Sequence, residues 1–399
     1  MGVQVVLAPI EPAPAGNGLA MRTAQFVDAA REAFEVVVAV VPVAGRPPGS
    51  DSRSGLDRVT LVQVTPPGET RSGLTELVSD GRWRERLRRS LPFPALAGAA
   101  PPSMAPIVCQ ALERAGVGPG TPLHVVRSYL GPLGIAVAER LGSSSCTLDL
   151  DDDDETLARD VGDLVQADAY RRLVATFAPE YSRVCAASPL EAVEIGDRHG
   201  LEVTVVPNAV ALPPAVVRSP VDPPDLLFVG NLSYAPNVDA AVVLVTEVLP
   251  AVRRATGLAV TATIVGSFDP ASALARLAGT DGVRLLGYVA DVAPLYARAS
   301  VAVAPLRWGS GTSIKLLEAF AHRVPVVATP VAARGLAVVD RTHLLVAEQP
   351  SELAERVVEL VAHPEYGMDL AREARALVER WHSRSAVAPI IGAFLGGRT

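Results

Sequence analysis

Hydrophobic residues along this chain come in short β-branched runs, and these runs alternate with longer stretches whose apolar residues recur at helical spacing. Short apolar runs are typical of buried strands in parallel sheets, and their alternation with amphipathic helices indicates an α/β fold. In the first half the pattern predicts a helix over 19–33. It predicts strands over 3–8, 35–41, 59–64, 123–127, 145–150, 183–187 and 203–206.

The second half restarts the same alternation after a Pro-rich stretch, 212–224, which is typical of a stiff linker. A chain of 399 residues also exceeds the size of one ordinary core. We therefore expect a domain over 1–211, a linker over 212–224 and a domain over 225–380. The elements predicted for the second domain are strands over 226–229, 259–265, 283–285, 301–304 and 326–328, and helices over 239–255, 271–277, 292–299, 313–321 and 350–361.

Charge and composition exclude several classes of protein. The net charge is −7, and all of the negative excess lies in the first 215 residues, so the basic footprint of a general nucleic-acid binder is missing. Three widely spaced cysteines give neither a disulfide framework nor metal-ligand spacing. We expect neither a membrane-spanning helix nor a signal peptide, and hence a cytoplasmic protein.

Between residues 64 and 106 the alternation gives way to Pro, Gly and Arg, as in an insertion or a lid. Five arginines lie within Arg82–Arg89 beside Trp83 and Leu87. One interpretation is a basic helix that lies on the anionic inner face of a membrane, as a peripheral contact. The other is a solvated charged face.

The most informative segment is the loop that follows the strand predicted over 301–304. A Gly-rich turn and a helix beginning near Ser313 would present free N–H groups and the positive end of a helix dipole to an anion. Lys315 is the only lysine among the 36 basic residues, which suggests a site that needs a compact ammonium. Glu318, three residues on, would accept hydrogen bonds from ribose hydroxyls. The alternative is a charge pair that stabilises the helix.

These residues stand in a series of motifs that resembles the group-1 glycosyltransferases (glycosyltransferase family 4). The resemblance is strong over 225–350 and weaker through the rest of the chain. It rests on Phe228–Leu232 with Pro236-Asn237, Leu286–Val289, Pro305–Arg307, Gly309–Glu318, Pro325–Thr329 and Arg334–Leu336.

The resemblance implies a GT-B fold, in which two Rossmann-like domains face each other across a cleft, with the C-terminal helix 381–399 crossing back to the first domain. It also implies a retaining transferase that moves a sugar from a nucleoside diphosphate sugar to an acceptor hydroxyl, with no bound cofactor and no metal requirement. Lys315 and Arg307 would neutralise the diphosphate, and Glu318 would hold the ribose. The remaining donor-side residues would be Gly16, Asn17, Gly18, Gly230, Asn231, Gly309, Ser310, Gly311, Thr312 and Ser313.

The chain departs from the family pattern at Ser310, where the family has a glutamate that touches the donor sugar. The usual Arg and Lys after the first strand of the donor domain are also absent, and Asn231 and Asn237 lie there instead. Two alternatives therefore stay open. One is a GT-B sugar-nucleotide epimerase or hydrolase, and the other is a non-catalytic protein that binds a sugar nucleotide as the partner of another enzyme.

An acidic run over 149–155 has three interpretations. It could bind a metal, it could begin a helix, or Asp149 and Asp151 could hold a cationic acceptor such as an amino sugar. Arg127 and His124, at the end of the preceding predicted strand, are further acceptor-side candidates. The acceptor itself, a natural product or a glycan, is left open.

Overall fold

The computed structural model describes residues 2–43, 58–64, 94–214, 221–269, 273–309 and 311–396. The predicted basic helix at Arg82–Arg89, Ser310 and the middle of the predicted linker lie outside the described residues. The chain divides into two compact units: unit 1 comprises residues 1–207 and 388–399, and unit 2 comprises residues 208–387.

Unit 1 is built on a seven-stranded sheet in the order β3-β2-β1-β4-β5-β6-β7, in which every neighbouring pair is parallel. Most positions of the central strands are buried on both faces, as their near-continuous Val, Leu and Ala runs require. The strands are β1 (Gly2–Ala8), β2 (Phe34–Val40), β3 (Val59–Gln63), β4 (Leu123–Val126), β5 (Cys146–Asp149), β6 (Arg183–Ala186) and β7 (Val203–Val205).

Helices connect these strands, as parallel pairing demands. They are α1 (Gly18–Ala30), α2 (Ala95–Ala99), α3 (Ala105–Arg114), α4 (Gly131–Leu141), α5 (Asp154–Asp160), α6 (Leu164–Phe177) and α7 (Pro189–His199). The end of the chain also belongs to this unit, where Phe394 lies against the ring of Phe26.

Unit 2 has a six-stranded parallel sheet in the order β10-β9-β8-β11-β12-β13. Its first strand in the chain, β8, is central, so the segments that follow β8 and β11 leave the same edge of the sheet side by side. The strands are β8 (Asp225–Val229), β9 (Thr261–Val265), β10 (Val283–Leu286), β11 (Val301–Ala304), β12 (Val326–Ala328) and β13 (Leu345–Val346).

The helices of unit 2 begin with a continuous helical stretch over Ala235–Thr256, formed by α8, a π-helical turn at Leu244–Val248 and α9. Among the described residues it is the one helix whose length and composition would allow it to cross a membrane, but its most apolar window is 56% buried inside the unit, as expected of a core helix. The helices of unit 2 are α8 (Ala235–Val243), α9 (Leu249–Thr256), α10 (Ala293–Arg298), α11 (Ile314–Ala321), α12 (Pro330–Ala333), α13 (Pro350–Ala362) and α14 (Pro364–Trp381). The last helix, α15 (Arg384–Leu395), begins in unit 2 and belongs to unit 1 from residue 388 onward.

The structure confirms each predicted strand to within about two residues and adds β13, whose two residues are too few to show a pattern. The helix predicted over 271–277 is wrong in type, because Ala273–Leu277 forms a 3₁₀ helix. The predicted terminal helix over 381–399 is also revised. It is interrupted after Trp381, where His382 donates through Nδ1–H to the carbonyl oxygen of Asn208 at 2.8 Å, and α15 begins at Arg384.

The packing of α4 on the sheet of unit 1 depends on Gly134. A Cβ at this position would lie 2.5 Å from the hydroxyl oxygen of Tyr181 and 2.6 Å from a methyl group of Val125. The same hydroxyl donates a 2.7 Å hydrogen bond to the carbonyl oxygen of Gly131 in the first turn of α4. A side chain at position 134 would therefore push the helix away from the strand.

We expect Gly134→Ala to lower the free energy of unfolding by about 1 to 3 kcal/mol, because overpacking a tight contact outweighs the helix propensity that alanine adds. Denaturant titration followed by circular dichroism measures the change. Gly118→Ala is the control, since no atom lies within 4 Å of the added methyl group. Equal stability of Gly134→Ala and the wild type would contradict the assigned packing.

Candidate functional site

Two glycines shape the carboxyl edge of the unit 2 sheet. Gly266 follows β9 with φ +149°, and a Cβ on it would lie 1.8 Å from the carbonyl oxygen of Gly230, which follows β8. No side chain fits at position 266, because the obstacle is backbone. The edge beside Gly230 is therefore formed by closely packed main chain.

The turn that follows β8 is held by asparagines. Asn237 is buried and donates a 2.9 Å hydrogen bond to the carbonyl oxygen of Asn231, and its side chain would be 3.1 Å from a Cβ at Gly230. The side chain of Asn231 accepts a hydrogen bond from the N–H of Ser233 at 3.1 Å. In the structure both asparagines thus stabilise the loop, and Gly230 leaves room for one of them.

The loop between β11 and α11 contains the predicted phosphate-binding residues. Gly309 and Gly311 have φ of +141° and +81°, values that favour glycine. The hydroxyl of Thr312 is buried and has no hydrogen-bond partner among the described residues. Ser313 is the N-cap of α11, but its side chain does not accept a hydrogen bond from the first turn, so it leaves the helix N-terminus open to another acceptor.

Lys315 and Glu318 lie in α11 directly after this loop. The ammonium of Lys315 is 3.5 Å from the hydroxyl of Ser313 and 6.0 Å from the centre of the Phe228 ring. Burial lowers the pKa of Lys315 to about 8. Burial likewise raises the pKa of Glu318 to about 7, although the hydroxyl of Tyr296 lies 3.3 Å from its Oε2.

These two opposite shifts have one physical cause. Each group loses more hydration than it regains from its neighbours, so the charged forms of both Lys315 and Glu318 are under-compensated. A ligand that brings negative charge to Lys315 and hydrogen-bond donors to Glu318 would supply what each lacks. Strong shifts at a loop of this kind are typical of functional sites.

Arg307, the other predicted diphosphate ligand, is engaged elsewhere in the structure. Its Nε donates to Asp239 Oδ2 at 2.8 Å and its Nη2 donates to the second oxygen of the same carboxylate. The Arg307 side chain is more than half exposed, so this pair is exchangeable at little cost. A diphosphate would have to compete with Asp239 for the guanidinium.

The Gly16–Gly18 loop precedes α1 in unit 1. Gly16 has φ +97°, and the side chain of Asn17 accepts hydrogen bonds from the N–H groups of Leu19 at 2.9 Å and Ala20 at 3.4 Å. The asparagine side chain therefore caps the helix. A contact of the Gly16, Asn17 and Gly18 backbone with phosphate stays a prediction.

Among the acceptor-side candidates, Asp149 has a different place from the one expected. It is fully buried and accepts two 2.9 Å hydrogen bonds from Arg22, whose Nη1 donates to the carbonyl oxygen of Val206 at 2.6 Å. This pairing and its own burial leave Asp149 no free surface for an acceptor. The expectation for Asp149 is therefore wrong.

The rest of the acidic run is largely compensated from within the unit. Arg127 donates to Asp151 at 3.2 Å, to Asp152 at 2.7 Å and to Asp154 at 2.6 Å. Asp153 is the N-cap of α5, so the run does begin a helix, as one of the three interpretations held. Among the described residues no group of three or more His, Cys, Asp or Glu is arranged to hold a metal ion.

Burial raises the pKa of Asp151 to about 7. The neighbouring carboxylates act in the same direction, and Arg127 opposes them. Asp151 itself is buried, whereas Asp152 has about a third of its side chain exposed. Arg127 and Asp151 thus form a shared network, and Asp152 is its accessible member.

His124 lies in the core and not on a ligand-binding surface. It is fully buried, its ring stacks on Phe26 at 4.2 Å, and its Nδ1 is 2.9 Å from the hydroxyl of Thr147. Burial lowers its pKa to about 4, so the ring is neutral at physiological pH. The expectation that His124 faces an acceptor is wrong, because β4 directs it into the core.

Two residues that contact candidate site residues in the structure were not identified from the sequence. Arg22 pairs with Asp149, and Tyr296 donates a hydrogen bond to Glu318. Arg22 had a signal, since it is the single charged residue in the first two turns of α1. Tyr296 had none, because an aromatic residue in a short helix is typical of core packing.

Comparison with known proteins relates part of the chain to a family. Residues 223–363 match the family model described as glycosyl transferases group 1. No curated protein matches the chain. Among solved structures, a sucrose-phosphate synthase from Thermosynechococcus elongatus is 17% identical with a TM-score of 0.73, over 98% of each chain.

Two other solved structures are similar over nearly their whole length. HepE from Anabaena, in complex with UDP and glucose, is 13% identical with a TM-score of 0.69, over 99% of this chain and 100% of that one. WaaG, a glycosyltransferase involved in lipopolysaccharide biosynthesis, is 16% identical with a TM-score of 0.65, over 98% of this chain and 100% of that one. The family match lies within unit 2, and the similarity to these solved structures, together with the two parallel α/β sheets, shows that the chain has the GT-B fold of glycosyltransferases.

Proposed function

We propose that this protein is a retaining glycosyltransferase that moves a sugar from a nucleoside diphosphate sugar to the hydroxyl of an acceptor. The observation that carries the proposal is the pair of under-compensated groups on α11, Lys315 and Glu318, directly behind a glycine-containing loop. A diphosphate would supply the negative charge that Lys315 lacks, and ribose hydroxyls would supply the hydrogen-bond donors that Glu318 lacks.

The donor would lie at the carboxyl edge of the unit 2 sheet. The diphosphate would accept hydrogen bonds from the N–H groups of the loop that includes Gly309, Gly311 and Ser313. It would also accept one from the hydroxyl of Thr312, which has no partner in the described part of the chain. Lys315 would neutralise it as a compact charge. Glu318 would accept hydrogen bonds from the ribose, and a uracil base is favoured because HepE is described in complex with UDP.

Catalysis would consist of positioning and of stabilising the departing diphosphate. The bond from the anomeric carbon to the diphosphate oxygen breaks, and the acceptor oxygen bonds to that carbon on the same face. The acceptor proton passes to the departing diphosphate. This route needs no protein nucleophile. The negative charge develops on the departing diphosphate, and Lys315 would neutralise it there.

We propose that no metal ion is required, because Lys315 and the loop supply the positive potential. On the acceptor side, Asp152, with about a third of its side chain exposed, would be the member of the acidic run that meets a cationic amino sugar or natural product. A glycan hydroxyl is the other acceptor class. We propose a cytoplasmic location with peripheral membrane contact through Arg82–Arg89.

A non-catalytic sugar-nucleotide-binding role is the second candidate, since Ser310 stands where the family has a glutamate and Arg307 is paired with Asp239. A GT-B epimerase or hydrolase would use the same donor site with water in place of an acceptor. The measurements below distinguish these functions.

We expect one nucleoside diphosphate among UDP, GDP, ADP, CDP and TDP to raise the melting temperature without magnesium, by mass action on the folded state. Lys315→Ala should weaken its binding by about 2 to 4 kcal/mol in calorimetry, because the diphosphate loses its charge partner. Arg254→Ala, which removes an exposed cation from the same unit, is the control. Unchanged affinity of Lys315→Ala would exclude the phosphate role.

Diphosphate affinity should fall as the pH rises through about 8, the pKa of the buried Lys315 ammonium. Above that pH the free protein has lost the proton that binding requires, so affinity drops by up to about tenfold per pH unit. Calorimetry at pH 7, 8 and 9 and constant ionic strength measures the slope. A flat profile in the wild type, or the same slope in Lys315→Ala, would contradict the assignment.

With its cognate donor and an accepting sugar, the enzyme should form a product with the anomeric configuration of the donor, which proton NMR coupling constants report directly. Inversion would rule out the retaining route. Release of free sugar or an isomerised donor without any acceptor would support the hydrolase or epimerase. Donor binding without turnover would support the non-catalytic role.

A further inference from the structure

Among the described residues, the carboxylate of Glu318 accepts one side-chain hydrogen bond, and the donor is Tyr296. Tyr296 belongs to α10, the helix that precedes β11, whereas Glu318 lies in α11, which follows that strand. The tyrosine hydroxyl donates to Glu318 Oε2 at 3.3 Å. A contact between two helices thus depends on this pair.

Tyr296 is itself rigidly held. It is 1% exposed, and its ring stacks on the imidazole of His322 with the centroids 4.6 Å apart and the planes at 13°. His322 caps the C-terminus of α11, and burial lowers its pKa to about 4, so it packs as a neutral ring. The hydroxyl of Tyr296 therefore approaches Glu318 from a fixed direction.

The hydrogen bond to Tyr296 divides the two oxygens of the Glu318 carboxylate. Oε2 is engaged by the tyrosine, and within the described part of the chain Oε1 accepts no hydrogen bond. A carboxylate whose orientation is fixed through one oxygen presents the other, and its remaining lone pairs, in one direction. The tyrosine also stabilises the charged form of a carboxylate that burial would otherwise protonate.

We propose that Tyr296 is a positioning residue for donor binding, which orients Glu318 towards the ribose hydroxyls without touching the donor itself. This inference rests on the proposed donor site. Tyr296 would act through Glu318 and not on the donor directly. Its contribution to nucleotide affinity should therefore be confined to recognition of the ribose.

The test is calorimetry of Tyr296→Phe with UDP and with its 2′,3′-dideoxy counterpart, or with the corresponding pair for whichever base binds. We expect binding of the ribonucleotide to weaken about tenfold, the effect of removing a hydrogen bond to a charged group, and binding of the dideoxy nucleotide to be unchanged. In a Glu318→Gln background Tyr296→Phe should have no further effect on the ratio of the two affinities.

Tyr181→Phe is the matched control, since Tyr181 is also a buried tyrosine that donates one hydrogen bond, but in unit 1. It should leave both affinities unchanged. A purely structural role for Tyr296 would lower the melting temperature and weaken both nucleotides equally, which would overturn the inference.

Failure of the inference is distinct from failure of the proposed function. If Glu318→Gln reduces the preference for the ribonucleotide and Tyr296→Phe does not, Tyr296 has no positioning role while the donor site stands. If the wild type binds no nucleoside diphosphate, the donor site is wrong and the inference falls with it.

Discussion

The ion pair between Arg22 and Asp149 is the interaction on which the edge of unit 1 depends. Both side chains are fully buried, and the guanidinium joins α1 to the end of β5 and, through the carbonyl oxygen of Val206, to the chain beyond β7. Removing one partner of such a pair leaves an uncompensated charge and costs about 3 to 5 kcal/mol. The pair therefore fixes where three separate segments meet.

In unit 2, by contrast, the buried charges of the candidate site are not fully compensated by partners. Lys315 and Glu318 are desolvated but have no partner as good as the two 2.9 Å bonds of Arg22, and the Thr312 hydroxyl beside them has no partner among the described residues. Fully compensated charge rigidifies a fold, whereas under-compensated charge is held ready for a ligand. This contrast indicates a structural role for the first edge and supports the proposal that the second edge binds the donor.

The backbone of unit 2 makes the second arrangement possible. The contact between Gly230 and Gly266 removes side chains from the edge beside β8, and the positive φ of Gly309 and Gly311 turns the chain into α11. Tyr296, in α10, reaches Glu318 of α11 with its hydroxyl at 3.3 Å. Close-packed main chain, the two desolvated charged groups on α11 and the stacked rings of Tyr296 and His322 thus all belong to unit 2.

The sequence alone determined the α/β class, the positions of the strands and the loop around Lys315, because these depend on local periodicity, glycine spacing and the rarity of a residue type. It did not determine that His124 points into the core, that Asp149 is paired with Arg22, or that Arg307 meets Asp239. Those outcomes join residues between 68 and 127 positions apart, or depend on which face of a strand is covered. Only the tertiary structure decided them, because the energy of a buried charge is set by the partner that the fold brings to it and not by its neighbours in the chain.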